Sequence, residues 1–291
     1  MKKTSLILLI ALVLIACNRS IIGGEERVIR GTIQLDAIDE ASGLAASRRS
    51  PDVLWTHNDS GDAARIFAID TSGYALGVFY LRGTTARDWE DIASGPGPQP
   101  EVNYLYIADI GDNKARYEQV FIHRIIEPVP GSRSAPKVDT VAVATLTLTY
   151  PDGPRDAEAL LVDPITRSFV IISKREKHVR VYTTALEFEH GEKRQLALLD
   201  SLPMTQITAG DISPSGNHVV IKNYTTIFSW QRSGSTLAGL FARQPDTLFY
   251  LPEPQGEALC IEMKGRGYYT LSEERGRIPA RLYFYPKLFI K

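Results

Sequence analysis

One short motif recurs five times along this chain, and its spacing constrains the fold more than any other feature. Each copy starts with small or acidic residues and enters a short apolar strand, as in Asp88-Trp89-Glu90-Asp91-Ile92-Ala93. The aligned positions are Ser42, Glu90, Glu158, Gly210 and Glu257. They are separated by 48, 68, 52 and 47 residues. A recurrence of about 40–50 residues built from strands is typical of a β-propeller.

The first repeat shows what one blade would contain. Four short apolar runs, at 44–46, 53–56, 66–69 and 76–81, are separated by turn sequences rich in Ser, Asp and Gly. The second, third and fourth repeats also supply four strands each, whereas the fifth supplies three. Residues 28–35 form a strand that precedes the first repeat. We therefore predict an all-β fold: a propeller of five four-stranded blades, whose ring is closed by this N-terminal strand.

The long step between the second and third repeats leaves an alternative open. It contains two segments rich in Pro and Gly, at 95–100 and 127–137, which lengthen the second repeat. A sixth blade in this step is the alternative. Residues 138–150 offer only one clear strand there, so five blades remain the prediction.

The N-terminus has the pattern of a bacterial lipoprotein signal. Lys2 and Lys3 precede an apolar run at 6–16, which is too short for a membrane-spanning helix. The run ends in Leu-Ile-Ala before Cys17, which resembles a lipobox and implies cleavage before Cys17 and lipidation of that residue. An ordinary secretory signal with a stray cysteine is the alternative. Because Asn18 is not Asp, the inner-membrane retention signal of enterobacteria is missing, which favours the outer membrane of the cell envelope.

These patterns divide the chain into three parts. We predict a signal peptide at 1–16, the lipidated Cys17 with a tether at 17–26, and one propeller domain at 27–291. The net charge of −1 and the lack of a basic patch argue against nucleic acid as a partner. Cys260 lies in an apolar strand and is predicted to be a small buried hydrophobe. We expect a monomer attached to the membrane through its lipid.

The propeller geometry brings two columns of polar residues to one mouth of the channel. The first column is the start of each inner strand, with Asp91 and Asp211 beside it. The second column is the end of each second strand, which lies on the same face. The predicted ligand-contacting residues are Glu90, Asp91, Glu158, Asp211, Glu257, Asn58, Asp109, Asn223, Glu273 and Lys174.

So many oxygen ligands suit Ca²⁺, which takes 6–8 oxygens in irregular geometry. We predict Glu90, Glu158 and Glu257 as its ligands; Mg²⁺ or Mn²⁺ would also be compatible. A structural network of carboxylates without metal is the alternative. Two nearby residues also have two interpretations each: His57 is either a catalytic base or a buried histidine, and Trp89 either stacks on a ligand or packs between blades.

Several motifs together resemble a group of secreted bacterial propellers. These are Ser42-Gly43-Leu44, His57-Asn58-Asp59-Ser60-Gly61, Asp88-Trp89-Glu90-Asp91-Ile92-Ala93, Asp156-Ala157-Glu158-Ala159-Leu160, Asp211-Ile212-Ser213-Pro214-Ser215-Gly216 and Glu257-Ala258-Leu259. The group is similar to the phytase-like and strictosidine-synthase-like propellers, over roughly residues 40–285. Relatives in that superfamily include calcium-dependent lactonases and phosphotriesterases, which usually have six blades, so the five blades predicted here depart from their pattern.

Two functions remain open at this point. The first is a lipid-anchored binding propeller that holds a small-molecule or protein ligand at its mouth. The second is a metal-dependent hydrolase of phosphoesters or lactones at the same place, in which the metal polarises the substrate and generates hydroxide. No obvious general base and no Gly-x-Ser-x-Gly elbow is present, which favours binding.

Overall fold

The computed structural model describes residues 21–22, 26–234, 236–276 and 278–286. They form five sheets, each built on four antiparallel strands and arranged as the blades of a ring. The prediction of five blades is confirmed. Cys17 and the signal peptide lie outside the described residues. Among the described residues, no helix is long and apolar enough to cross a membrane.

The first two blades have the same plan. Numbered along the chain, blade 1 contains β3 (Ala41–Ala46), β4 (Val53–Asn58), β5 (Arg65–Asp70) and β6 (Ala75–Leu81), from the channel outwards. Blade 2 contains β7 (Trp89–Gly95), β8 (Tyr104–Asp109), β9 (Val120–Ile126) and β11 (Ala144–Thr149). Each gains a fifth strand in parallel, β10 (Lys137–Val141) on β6 and β15 (Lys193–Gln195) on β11.

These extra strands explain the long step between the second and third repeats. The segment expected to lengthen blade 2 instead returns to blade 1, where β10 becomes its outer edge. The next segment, β11, is the outer strand of blade 2. The alternative of a sixth blade is therefore wrong, because both strands of this region belong to existing blades.

The remaining blades complete the ring. Blade 3 contains β12 (Ala157–Asp163), β13 (Ser168–Ser173), β14 (Val179–Ala185) and β16 (Ala197–Leu202). Blade 4 contains β17 (Ile207–Ile212), β18 (His218–Asn223), β19 (Ile227–Gln231) and β20 (Asp246–Leu248), with β1 (Ile21–Ile22) parallel to β20. The short helix α1 (Leu237–Phe241) precedes β20. Blade 5 contains β21 (Gly256–Ile261), β22 (Gly267–Ser272) and β23 (Arg281–Pro286).

The N-terminal strand closes the ring as predicted. β2 (Val28–Thr32) pairs with β23 in antiparallel fashion and becomes the fourth strand of blade 5. It ends before residue 35, and Ile29 is exposed rather than buried. Gly31 is required in this strand, because a Cβ there would overlap the main-chain carbonyl of Ser72.

The core lies between neighbouring blades. For example, Tyr106 of blade 2 meets Phe169 of blade 3 edge-on, with ring centroids 4.9 Å apart. The inner strands β3, β7, β12, β17 and β21 all begin at the same end of the channel, which we call the mouth face. The opposite end, where these strands finish, is called the lower face.

Candidate functional site

An irregularity at the start of the inner strands positions the acidic side chains. The register with the second strand shifts between Trp89 and Asp91, so that Glu90 is an extra residue. The same shift makes Glu158 and Glu257 the extra residues of β12 and β21. Bulges of this kind bend a strand and redirect a side chain.

The other two inner strands carry the same irregularity without a carboxylate. In β17 the register shifts between Ile207 and Ala209, so Thr208 is the equivalent residue and the alignment of Gly210 was wrong by two positions. In β3 the shift lies between Ala41 and Leu44, around Ser42. The inner strands of blades 1 and 4 therefore carry no acidic residue at this position, and blade 5 with Glu257 lies between them.

A lysine lies between two of the three glutamates. Lys174 Nζ donates to Glu158 Oε1 at 2.6 Å and lies 3.8 Å from Glu257 Oε1. All three side chains are at least nine-tenths buried. Burial lowers the pKa of Lys174, but the charges of Glu158 and Glu257 outweigh it and raise that pKa. The ammonium is therefore a fixed internal cation that blade 3 places in the mouth.

Glu257 has further partners on the far side of Lys174. The Tyr224 hydroxyl donates to Glu257 Oε1. Burial and a hydrogen bond with Glu257 raise the pKa of Glu273 to about 9, so that Glu273 can share its proton with Glu257. Glu257 is therefore satisfied by residues of the protein itself.

Glu90 is in the opposite situation. It is 3% exposed, and its side chain forms a hydrogen bond with another buried carboxyl group, that of Glu158. Burial and the charge of Glu158 raise its pKa well above the usual range. Carboxylate oxygens of Glu90, Asp156 and Glu158 lie within 4.8 Å of one another, as do those of Glu90, Asp59 and Asp88. Glu90 is therefore the common member of two groups of carboxylates.

Because Gly111 has no side chain, the carboxyl groups of Glu90 and Asp88 can lie against its Cα. A Cβ at this position would overlap Glu90 Oε1 and lie 2.7 Å from Asp88 Oδ2. Glu158 completes the group, and burial raises its pKa to about 8 although Lys174 opposes that shift. In the buried group of Glu90, Asp156 and Glu158, Lys174 pairs with Glu158 and Arg175 pairs with Asp156. Glu90 has no salt bridge with the described residues, so its raised pKa keeps it protonated unless a further cation binds.

Several predicted site residues lie outside this carboxylate group. Asp91 accepts the main-chain N–H of Leu160 at 2.9 Å, and Asp211 accepts that of Ile261 at 2.8 Å. Each bond joins one inner strand to the inner strand of the next blade in the chain. These two aspartates therefore connect neighbouring blades in the ring.

The amides and the remaining aspartate of the second column hold turns. Asn58 donates to the Ala37 carbonyl, and Asn223 accepts N–H groups of its own turn. Asp109 forms a salt bridge with Arg87 at 3.1 Å. The sequence alignment placed Asn58, Asp109 and Asn223 in one column with Lys174 and Glu273. The first three are the last residues of their strands, whereas Lys174 and Glu273 each come one residue after the end of β13 and β22.

That difference of one position also explains the residues that the sequence analysis missed. The residues equivalent to Lys174 and Glu273 are Asp59, which follows β4, and Tyr224, which follows β18. Both lie at the mouth face. Asp88 and Asp156, which precede β7 and β12, were missed as well. Their signal was available, because each stands two residues before Glu90 or Glu158 in the repeated motif.

His57, Trp89 and Cys260 are buried within the walls of the ring. His57 is fully buried, its Nδ1 lies 2.8 Å from the carbonyl of Asn58, and burial lowers its pKa to about 4. The Trp89 ring packs edge-on against it at 5.7 Å. Cys260 is fully buried. In these positions His57 and Trp89 pack between blades 1 and 2.

No protein-family model matches the chain. No curated protein matches it either. Among solved structures, a chain of the nidogen/laminin complex is similar with a TM-score of 0.44 and 9% identity, covering 81% of this chain and 73% of that one. Hydrazine synthase of Kuenenia stuttgartiensis is similar with a TM-score of 0.40 and 8% identity, covering 80% and 65% respectively. At these scores neither resemblance bears on the function of this chain.

Proposed function

We propose that this protein is a lipid-anchored propeller of the bacterial envelope that binds Ca²⁺ at its mouth and, with it, a ligand or partner. The observation that carries the proposal is Glu90, a buried acidic residue that shares a hydrogen bond with a second buried carboxyl group, Glu158, and forms no salt bridge with the described residues. An ionised carboxylate in such a place is unfavourable unless a positive charge joins it.

The geometry favours a particular set of ligands for the ion. Glu90, Asp156 and Glu158 can each offer an oxygen within 4.8 Å of the others, and Asp59 and Asp88 adjoin Glu90. Calcium accepts such irregular oxygen sets and completes them with water or a ligand. Glu257, the third ligand expected from the sequence, lies beyond Lys174 and is better suited to holding that lysine.

The membrane part of the proposal depends on Cys17 and the preceding apolar run. A lipid on this residue would hold the propeller at the membrane surface, and Asn18 favours the outer membrane. Mass spectrometry of the mature N-terminus tests this part alone: an unmodified N-terminus at another position would contradict it.

The calcium site is tested by thermal melts of the soluble domain in EDTA and in Ca²⁺. A metal that binds the native state stabilises it by mass action, by about 2.7 kcal/mol at 100 times its Kd. We expect wild-type protein to melt several degrees higher in Ca²⁺, and Glu90→Gln and Glu158→Gln to lose that difference. Glu274→Gln is the control, because Glu274 is exposed on the same face. Equal melting temperatures of the wild type in both buffers would contradict calcium binding.

The metal-dependent hydrolase is the second candidate, and one residue favours it. Asp88 is partly exposed at the mouth, and burial raises its pKa to about 6. A carboxyl that titrates near neutrality beside the proposed metal is suited to general base catalysis. A panel of phosphoesters and lactones tests this candidate: calcium-dependent turnover that Asp88→Asn removes would support it, and calcium binding without turnover would support the binding function.

A further inference from the structure

A second cleft lies on the outer part of blade 2, apart from the carboxylates of the mouth. The loop between β6 and β7 contributes Thr84 and Arg87 to it, and β9 contributes Phe121 and His123. The turn that contains His190, just before β15, completes the lining. The cleft has a volume of about 460 Å³, which is within the range of about 300–1,000 Å³ that small-molecule sites occupy.

Phe121 and His123 give the cleft an aromatic surface. They are two residues apart in β9, so both side chains project from the same face of the blade. Their rings are nearly parallel, with 14° between the planes and 6.3 Å between the centroids. Phe121 is half-buried, whereas His123 is 3% exposed and lies at the base of the cleft. A ligand with an apolar ring surface can pack against such side chains.

A row of hydroxyl and imidazole groups crosses the cleft. His123 Nε2 lies 3.3 Å from Thr84 Oγ1, and His123 Nδ1 lies 3.0 Å from Thr145 Oγ1. The main-chain N–H of Thr145 donates to His190 Nδ1 at 3.1 Å, which leaves Nε2–H of His190 as a donor. Hydroxyl groups and neutral imidazoles can both donate and accept hydrogen bonds. The cleft therefore offers the two kinds of hydrogen bond that a ligand hydroxyl group forms.

The charged groups that line the cleft compensate each other. Arg87 Nη2 forms a salt bridge with Asp109 Oδ1 at 3.1 Å, and Arg87 Nη1 donates to the Gln119 carbonyl at 3.0 Å. Burial, together with the charge of Arg87, lowers the pKa of His123 to about 4, so that its imidazole is uncharged at neutral pH. This balance favours an uncharged ligand over a phosphate, a carboxylate or a metal ion.

We infer that this cleft binds a carbohydrate of one or two sugar rings. A sugar presents apolar C–H groups on the faces of its ring and hydroxyl groups around its edge, which match the aromatic surface and the row of hydrogen-bonding groups. The inference goes beyond the proposed function and depends on neither calcium nor the lipid anchor. It gives the propeller a second binding site, on the outer part of a blade rather than at the mouth.

The experiment is a ligand titration followed by NMR, with full-length protein in a detergent that has no sugar headgroup. The probes are the methyl glycosides of glucose, galactose, mannose and N-acetylglucosamine, together with maltose and cellobiose. Benzyl alcohol, an aromatic compound with a single hydroxyl, and inorganic phosphate, an anion, are the comparison compounds. We expect at least one of the sugars to bind in the millimolar range and more tightly than either comparison compound.

Two substitutions at half-buried positions test the cleft itself. Thr84→Val removes a hydroxyl group and Phe121→Leu removes an aromatic ring. We expect each to weaken sugar binding about five-fold, through the loss of one hydrogen bond or one aromatic contact. Thr184→Val and Phe249→Leu make the same changes at half-buried positions outside the cleft and should leave binding unchanged. The two cleft variants remove different groups, so misfolding of one leaves the other as the test.

Three results would overturn the inference. They are no binding of any of the sugars at millimolar concentration, tighter binding of benzyl alcohol or phosphate than of every sugar, and equal effects of the cleft and control substitutions. None of these results would bear on the proposed calcium site, because the two sites share no residue.

Discussion

Lys174 Nζ lies 2.6 Å from Glu158 Oε1, and this pair joins the end of β13 to the start of β12 inside the mouth. Both side chains are more than nine-tenths buried. The ammonium also lies 3.8 Å from Glu257 of blade 5, so one cation compensates carboxylates from two blades. Removal of either partner leaves a buried charge without its counter-ion, so we expect substitutions of Lys174 or Glu158 to destabilise the folded protein.

The first prediction concerns Lys174→Met. Breaking a buried pair by removing one partner typically costs about 3–5 kcal/mol, and we expect a loss in this range in urea unfolding at pH 7. Protonation of Glu158 would offset part of the loss at lower pH. Lys177→Met, at an exposed position of the next turn, should change stability little. A Lys174→Met protein with the wild-type urea midpoint would show that the pair contributes no stability.

The second prediction concerns pH. The pKa of Glu273 is raised to about 9 by burial and then by Glu257, so its stabilising contribution is fully present below the ordinary carboxyl pKa. That contribution is lost as pH rises towards 9, because the unfolded chain ionises first. Each proton bound only by the native state changes the free energy of unfolding by at most about 1.4 kcal/mol per pH unit.

Glu273→Gln keeps the shape of the protonated side chain and cannot ionise. We therefore expect the variant to gain stability relative to the wild type as pH rises from 5.5 to 8, measured by urea unfolding in EDTA. The buried His57 and His123, whose pKa values are lowered to about 4, act in both proteins and cancel in the comparison. A constant difference across this pH range would contradict the prediction.

The third prediction concerns Gly111. Its substitution by Ala would place a methyl group where Glu90 Oε1 now lies and 2.7 Å from Asp88 Oδ2. Because the ends of these side chains can move, we expect a modest change in stability in EDTA but at least a ten-fold weaker response to Ca²⁺ in thermal melts. Unchanged calcium protection would place the ion away from Glu90.

The fourth prediction concerns ring closure. A soluble domain that begins at residue 37 should be less stable than one that begins at residue 18 by about 3 kcal/mol or more, since it loses β2 and the packing of Ile33 and Leu35. Such a loss is a large part of a total of about 5–15 kcal/mol. Leu35→Ala should be destabilising and Ile29→Ala nearly neutral, because Ile29 is 57% exposed. Equal urea midpoints for the two domains would contradict closure by this strand.

The amino-acid sequence by itself determined the number of blades, their four-stranded plan and the closure of the ring by the N-terminal strand, although the predicted strand at 28–35 extended past the end of β2. Each of these depends on information contained within one repeat: the alternation of apolar residues, the turn chemistry and the distance to the next copy. It also determined that Glu90, Glu158 and Glu257 occupy equivalent positions, because the motif itself repeats.

The tertiary structure decided which of these carboxylates share a cation and which one is paired with another carboxyl group instead. Those relationships depend on a one-residue shift in strand register and on contacts across the ring between blades that are distant in sequence. The same shift in register places the side chains of Asp91 and Asp211 in hydrogen bonds between blades. It also places Asp59 and Tyr224 at the mouth face. A periodic pattern fixes which residues are equivalent, but only the closed ring fixes which of them face one another.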